Sequence, residues 1–201
     1  MIIKKVILIF LFSTLLFFSA SCNQSQKESV LEEEPKSVIN KKEDIKNFFL
    51  SNKLYLLAPE FNSKDCESFG ECDCCSSNYL FLDDENFICV DYCLEVDNFY
   101  TGKYKIENER VELKYNSTVV NKEYNWESES DTTNIQPEYF YKIEKCKPFQ
   151  STWIKFNCKE KICFKTTEKE TDYASVDKTK TYESFLEELK KEGILKRLNV
   201  K

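Results

Sequence analysis

Ile88, Val90, Tyr92, Leu94 and Val96 are apolar at every second position, with Cys89, Asp91, Cys93 and Glu95 between them. Successive side chains of an extended chain point to opposite faces, so this alternation sets one apolar face against a core and the other toward solvent. No other feature restricts the fold as much: the period is wrong for a helix and predicts a half-buried strand. Shorter segments of the same kind surround it. Lys53 to Leu57 reads as extended and stops before Pro59, and Asn78 to Leu82 forms a second strand. Asp83-Asp84-Glu85-Asn86 between Leu82 and the alternating set is a four-residue hairpin turn, without the ligand spacing and central glycine of a calcium loop.

Tyr100 to Glu107 and Val111, Leu113 and Tyr115 make another hairpin around Asn108-Glu109, and Asn121 to Pro137 reads as a polar loop. Tyr139, Tyr141 and Ile143 alternate, as do Ile154, Phe156 and Cys158, and Ile162 with Phe164 closes the strand set. Seven or eight short strands with turn signals between them predict a mainly β fold, a small antiparallel barrel or sandwich. Helices are expected at both ends. Asn40 and Glu43 have the spacing of a capping box, and Ile45, Phe48 and Phe49 then share one face of a short N-terminal helix. Tyr182, Phe185, Leu186 and Leu189 have helical spacing, with Thr181 to cap the start and Gly193 to end it. This C-terminal amphipathic helix is expected to dock across one end of the barrel. Trp126 and Trp153 are the two tryptophans. Either could mark a ligand site, and Trp153, on the strand face opposite Ile154 and Phe156, is expected toward solvent.

Gly102-Lys103-Tyr104-Lys105-Ile106, followed by Val111-Glu112-Leu113, resembles the G-x-Y-x-I then V-x-L hairpin of small lipocalin-like domains in bacterial lipoproteins. The chain start carries a second resemblance. Lys4 and Lys5 precede an apolar run from Val6 to Phe18, too short for the roughly 20 residues that span a bilayer as a helix, so residues 1–21 read as a signal peptide. Ser19-Ala20-Ser21-Cys22 is similar to a bacterial lipobox, with Ser19 where that family most often has Leu. The resemblance implies cleavage before Cys22, a lipid on its sulfur, and attachment to the membrane through that anchor. Ser19 and Ser21 also satisfy the small-x-small rule of an ordinary secretory cut at the same bond, which would leave Cys22 a plain thiol. Asn23 is not the Asp that resembles inner-membrane retention, so the expected address is the cell envelope at the outer membrane. Residues 22–42, polar and with Pro35 in the middle, read as the lipidated cysteine and a flexible tether of roughly 25 Å root-mean-square span. Residues 43–201 are left for a disulfide-stapled β domain.

Nine cysteines follow Cys22: Cys66, Cys72, Cys74, Cys75, Cys89, Cys93, Cys146, Cys158 and Cys163. At this density in an exported chain all nine are disulfide candidates. If Cys89 and Cys93 share the alternating strand, their Cα atoms lie about 13 Å apart, beyond the roughly 7 Å a disulfide tolerates. The loop from Cys66 to Cys75 is therefore expected to be stapled to that strand through two bridges. Cys158 and Cys163 flank a short turn as a cross-hairpin pair, with Cys146 as competitor. Lipidation at Cys22 leaves nine cysteines and so an odd thiol, whereas plain secretion lets all ten pair.

The chain has no histidine and three glycines, which excludes Ser-His-Asp and Cys-His catalysis, imidazole metal sites and Gly-rich phosphate loops. Loss of Lys4 and Lys5 leaves 27 basic against 35 acidic side chains, a charge of −8, with no basic patch for nucleic acid. The reading is a membrane-anchored exported lipoprotein acting as a binding or structural module. It is not an enzyme and needs no cofactor, and its partner is a small apolar ligand or another protein. The alternative is a cysteine-based redox or metal protein, built on the C-x-x-C of Cys72 and Cys75 or on four thiolates from Cys72, Cys74, Cys89 and Cys93. The first reading expects none or one free thiol, the second a reactive pair or a metal-protected cluster.

Overall fold

The computed structural model describes residues 48–70, 76–93, 95–129, 136–167 and 171–200. Eleven strands run in chain order: β1 Lys53–Ala58, β2 Glu60–Asn62, β3 Glu67–Phe69, β4 Ser77–Phe81, β5 Asn86–Asp91, β6 Val96–Glu107, β7 Arg110–Tyr124, β8 Tyr139–Lys145, β9 Gln150–Cys158, β10 Lys161–Thr166 and β11 Tyr173–Val176. A 3-10 turn, Trp126–Glu129, follows β7, and helices α1 Tyr182–Lys191 and α2 Ile194–Arg197 end the chain. The main sheet has the order β6-β5-β4-β1-β11-β10-β9-β7-β8, and β6 also pairs with β7, which closes eight antiparallel strands into a barrel. Closure depends on β7: its first residues pair with β9 from Arg110 to Lys114, and its last with β8 from Thr118 to Tyr124, while β6 lies along its other edge.

An eight-stranded barrel has an interior just wide enough for side chains to fill. Tyr55, Tyr79, Phe81, Phe87, Tyr104, Leu113, Trp153 and Phe164 fill this one. Trp153, expected toward solvent, is completely buried, with Tyr79 at 4.6 Å and Phe164 at 5.7 Å between ring centroids. Its neighbour Ile154 faces the other way, so the alternation was sound and the assignment of inside to the Ile154 face was wrong. Gly102 is required where the wall bends. The β6–β7 register shifts between Tyr100 and Gly102, and a Cβ at Gly102 would lie 2.3 Å from the Lys114 carbonyl and 2.6 Å from the Phe87 ring. The hairpin expected around Asn108-Glu109 forms, Tyr104 opposite Leu113 and Ile106 opposite Val111, with Asn108 and Glu109 at φ 46° and 66°.

The alternating segment is not one strand. β5 ends at Asp91, the chain turns, and Val96 opens β6. Both faces of β5 are buried: Phe87 and Cys89 point into the barrel, and Ile88 and Val90 point out beneath the C-terminal helices. Phe185, Leu189, Ile194 and Leu198 pack on Leu54, Leu80, Ile88, Val90, Phe99 and Val120, so α1 and α2 cover the outer wall and not an end of the barrel. Thr181 caps α1, its hydroxyl accepting from the Ser184 N–H at 3.1 Å, and Gly193, at φ 71°, separates α1 from α2. Among the described residues of the proposed opening helix, Phe48 and Leu50 are buried and the intervening Phe49 is 67% exposed in non-helical backbone. That is extended-chain alternation; Asn40, Glu43 and Ile45 lie outside the described residues. The expected polar loop begins later than Asn121, because β7 continues to Tyr124 with β8 pairing against it.

Candidate ligand-binding site

The barrel interior is the natural first place to look for a ligand, and its own side chains occupy it. The Tyr79 and Tyr115 hydroxyls are hydrogen-bonded at 2.6 Å deep in the core, and burial holds the Tyr79 phenol well above its ordinary pKa. Phe149 stacks on Tyr115 at 3.9 Å, and Tyr100 meets Phe149 edge-on at 5.6 Å, which puts further aromatic mass over the core. The Trp153 indole N–H is buried with no acceptor among the described residues. Such a core stabilises the fold; it does not leave room for a guest.

Space exists on the outside. A groove of about 770 Å³ lies between the barrel wall and the C-terminal helices. Leu82 and Gly102 line it on the barrel side, Tyr182, Leu186, Leu195 and Val200 on the helical side, and Asn86, Thr101, Asn116, Lys190 and Asn199 supply polar groups. Asn116 Nδ2 donates to Thr101 Oγ1 at 2.8 Å, which orients the wall side of that polar set. At one end Asp83 is held by Asn86 Nδ2 and by the backbone N–H groups of Glu85 and Asn86, and these bonds keep its carboxyl below the usual carboxylate range. A volume of this size, apolar with a few oriented polar groups, matches small-molecule sites in general. The sequence pattern could not show it, because its two sides come from β4 to β7 and from the chain terminus.

The cysteines fall into separate environments. Cys66 and Cys158 form a disulfide across a sequence separation of 92, which overturns the Cys158–Cys163 pairing and removes Cys66 from the candidates for stapling the Cys66 to Cys75 loop to the β5 strand. The reason is the path after β1: β2 and β3 fold back over the outer wall, where Phe61 packs on Phe156 and Tyr173 and the Ser68 N–H donates to Ser175 Oγ at 2.8 Å. Cys163 is buried against that disulfide. The Cys89 thiol points into the barrel, where burial raises its pKa. Cys146 follows β8, half-buried, its Sγ 3.6 Å from the Asn116 carbonyl, and Cys93 is exposed beyond β5. Cys89, Cys146 and Cys163 are thiols. Three exceed the none-or-one expected of a stapled domain, and two of them are simply small core residues. Cys22, Cys72, Cys74 and Cys75 lie outside the described residues. Among the described residues, no group of three or more Cys, Asp or Glu side chains is placed to hold a metal ion, and no helix is long and apolar enough to cross a membrane.

No family model matches the chain, and no curated protein is similar to it by sequence. Among solved structures, it is similar to a streptavidin-like protein from Bacteroides eggerthii DSM 20697, at 12% identity over 68% of this chain and 86% of that one, with a TM-score of 0.46.

Proposed function

We propose that this chain is an exported lipoprotein, anchored in the cell envelope through Cys22, whose β barrel acts as a binding module and not as an enzyme. The lipobox-like Ser19-Ala20-Ser21-Cys22 and the polar stretch to residue 42 support the anchor, and the absence of histidine supports binding over catalysis. The observation that carries the binding reading is the groove of about 770 Å³ beside a barrel whose interior is filled. Its ligand is a small molecule, largely apolar, with a polar end that meets Asn116, Thr101 or Lys190.

Two measurements test the reading. Intact mass of the mature protein, alkylated without reduction, should show acyl mass on a chain beginning at Cys22, and Cys22→Ser should abolish both that mass and membrane retention. Titration with 1-anilinonaphthalene-8-sulfonate, an apolar probe with one anionic group, should give one saturable site with blue-shifted emission. Leu186→Asp should remove that site, and an unchanged titration in the variant would refute the groove.

A further inference from the structure

Trp126 is used by neither the core nor the groove: it is 63% exposed. A singly exposed aromatic is ordinary, but this one stands beside two further rings. Its backbone is nevertheless firmly placed. The buried Asn125 donates through Nδ2 to the Pro137 carbonyl at 2.8 Å and accepts at Oδ1 from the Glu127 N–H at 3.2 Å, so the turn carrying Trp126 is pinned to the chain entering β8.

Trp126 stands edge-to-face with Tyr124, ring centroids 4.8 Å apart at 75°, and Tyr124 meets Tyr139 at 5.7 Å and 74°. The three rings line one side of a recess of about 390 Å³, and Glu95 and Asp97 line it as well. Lys122 also reaches it, and its position is informative. The Lys122 ammonium lies 4.4 Å from the Tyr139 ring centroid, so one ring face already holds a cation. That lysine is spent elsewhere: the Glu192 carboxylate binds it through both oxygens, at 2.9 and 3.0 Å. Among the described residues neither Glu95 nor Asp97 forms an ion pair. The recess therefore combines aromatic rings, whose quadrupoles attract positive charge, with two carboxylates, Glu95 outside any ion pair among the described residues and Asp97 opposite Lys122 across the β6–β7 pairing.

We propose that this recess binds a small organic cation, an alkylated ammonium group, against the rings of Trp126 and Tyr124, with Glu95 and Asp97 supplying the countercharge. An alkylated ammonium fits better than a primary one, since its methyl groups gain from the rings and it has few or no N–H donors to leave unsatisfied there. A metal ion fits worse: hard cations need six or more oxygen ligands, and among the described residues no group of three or more acidic or cysteine side chains is placed to hold one.

The test is titration of the purified full chain with choline, followed by calorimetry and by broadening of the choline methyl-proton resonance, at constant ionic strength. The control is 3,3-dimethylbutan-1-ol, which has the same shape without the charge. Saturable binding of choline in the millimolar range is expected, with none of the alcohol. Trp126→Ala should weaken it about five- to tenfold, and Glu95→Gln with Asp97→Asn by a similar factor. Trp126→Tyr, which keeps a ring, should stay within about threefold of the parent. The blue-shifted emission of buried Trp153 reports that the barrel is intact in each variant. Equal binding of choline and the alcohol, no saturable choline binding, or full affinity in Trp126→Ala would each overturn the proposal. Leu186→Asp, on the far groove, should leave choline binding unchanged, so failure of one site does not decide the other.

Discussion

Removal of the Cys66–Cys158 disulfide by paired substitution with alanine gives a stability effect that can be worked directly from this structure. The bridge joins residues separated by 92 positions. Cross-linking a loop of that length removes closure entropy from the unfolded chain worth about 4.6 kcal/mol at room temperature. Both cysteines are replaced because Cys163 packs against the bridge and would otherwise be within reach of whichever partner remained. At an m value of roughly 2 kcal/mol/M, that loss lowers the urea midpoint by about 2 M. Trp153, completely buried, reports unfolding of the barrel by fluorescence. A midpoint shift below about 0.5 M would refute the reasoning: it would mean that the folded-back β2–β3 hairpin already restrains the unfolded chain, or that the bridge contributes nothing to the ensemble.

Trp153→Ala should cost about 3–5 kcal/mol in urea unfolding, since the ring packs against Tyr55, Tyr79, Phe81 and Phe164 and the eight-stranded wall cannot collapse onto the void. A loss under about 1 kcal/mol would mean that the core is not closely packed. The third prediction concerns acid. Desolvation holds the Asp91 carboxyl above the usual carboxylate range, opposed by the hydrogen bond it accepts from Ser77 Oγ at 2.9 Å. A carboxyl whose folded pKa exceeds its unfolded value, about 3.9, favours the folded state when protonated. Its contribution is complete below about pH 4 and is lost as pH rises through the folded pKa. Asp91→Asn, which cannot ionise, should therefore gain stability relative to the parent as pH rises, with the difference levelling off near neutrality. Urea midpoints that differ by a constant amount across the acid range would contradict this.

Several elements were legible in the residues because their signals are local. The hairpin at Asn108-Glu109, the turn from Asp83 to Asn86, and the Thr181 cap all depend on contacts within a few positions, and all form where the pattern places them. The errors lie where distant segments meet. Ile88 and Val90 alternate because α1 and α2, about a hundred residues later, cover the outer wall, while the barrel takes the Phe87 and Cys89 face as well. Nearness in sequence makes the loop from Cys66 to Cys75 the partner of the β5 cysteines and Cys163 the partner of Cys158, but β2 and β3 carry Cys66 across the wall to Cys158. β11 was missed altogether: Tyr173–Val176 is too short to show a period, and it is a strand because β1 and β10 flank it. Trp126 was marked as a ligand candidate on residue type alone. Its partners Tyr124, Tyr139, Glu95 and Asp97 come from β7, β8 and the approach to β6 and into it, a grouping that no spacing in the chain announces.

By itself the sequence determined the chemistry available and the local geometry. No histidine and three glycines removed whole classes of mechanism, and apolar alternation made strands and a closed or stacked β architecture the natural outcome. The tertiary structure decided which face of each strand is inside, which cysteines meet, and where empty space remains. Alternation distinguishes two faces without naming the inner one, and when a barrel is filled inside and covered outside, both faces become apolar. Disulfide partners and cavities depend on how distant segments pack, so these appear only once the chain has closed on itself.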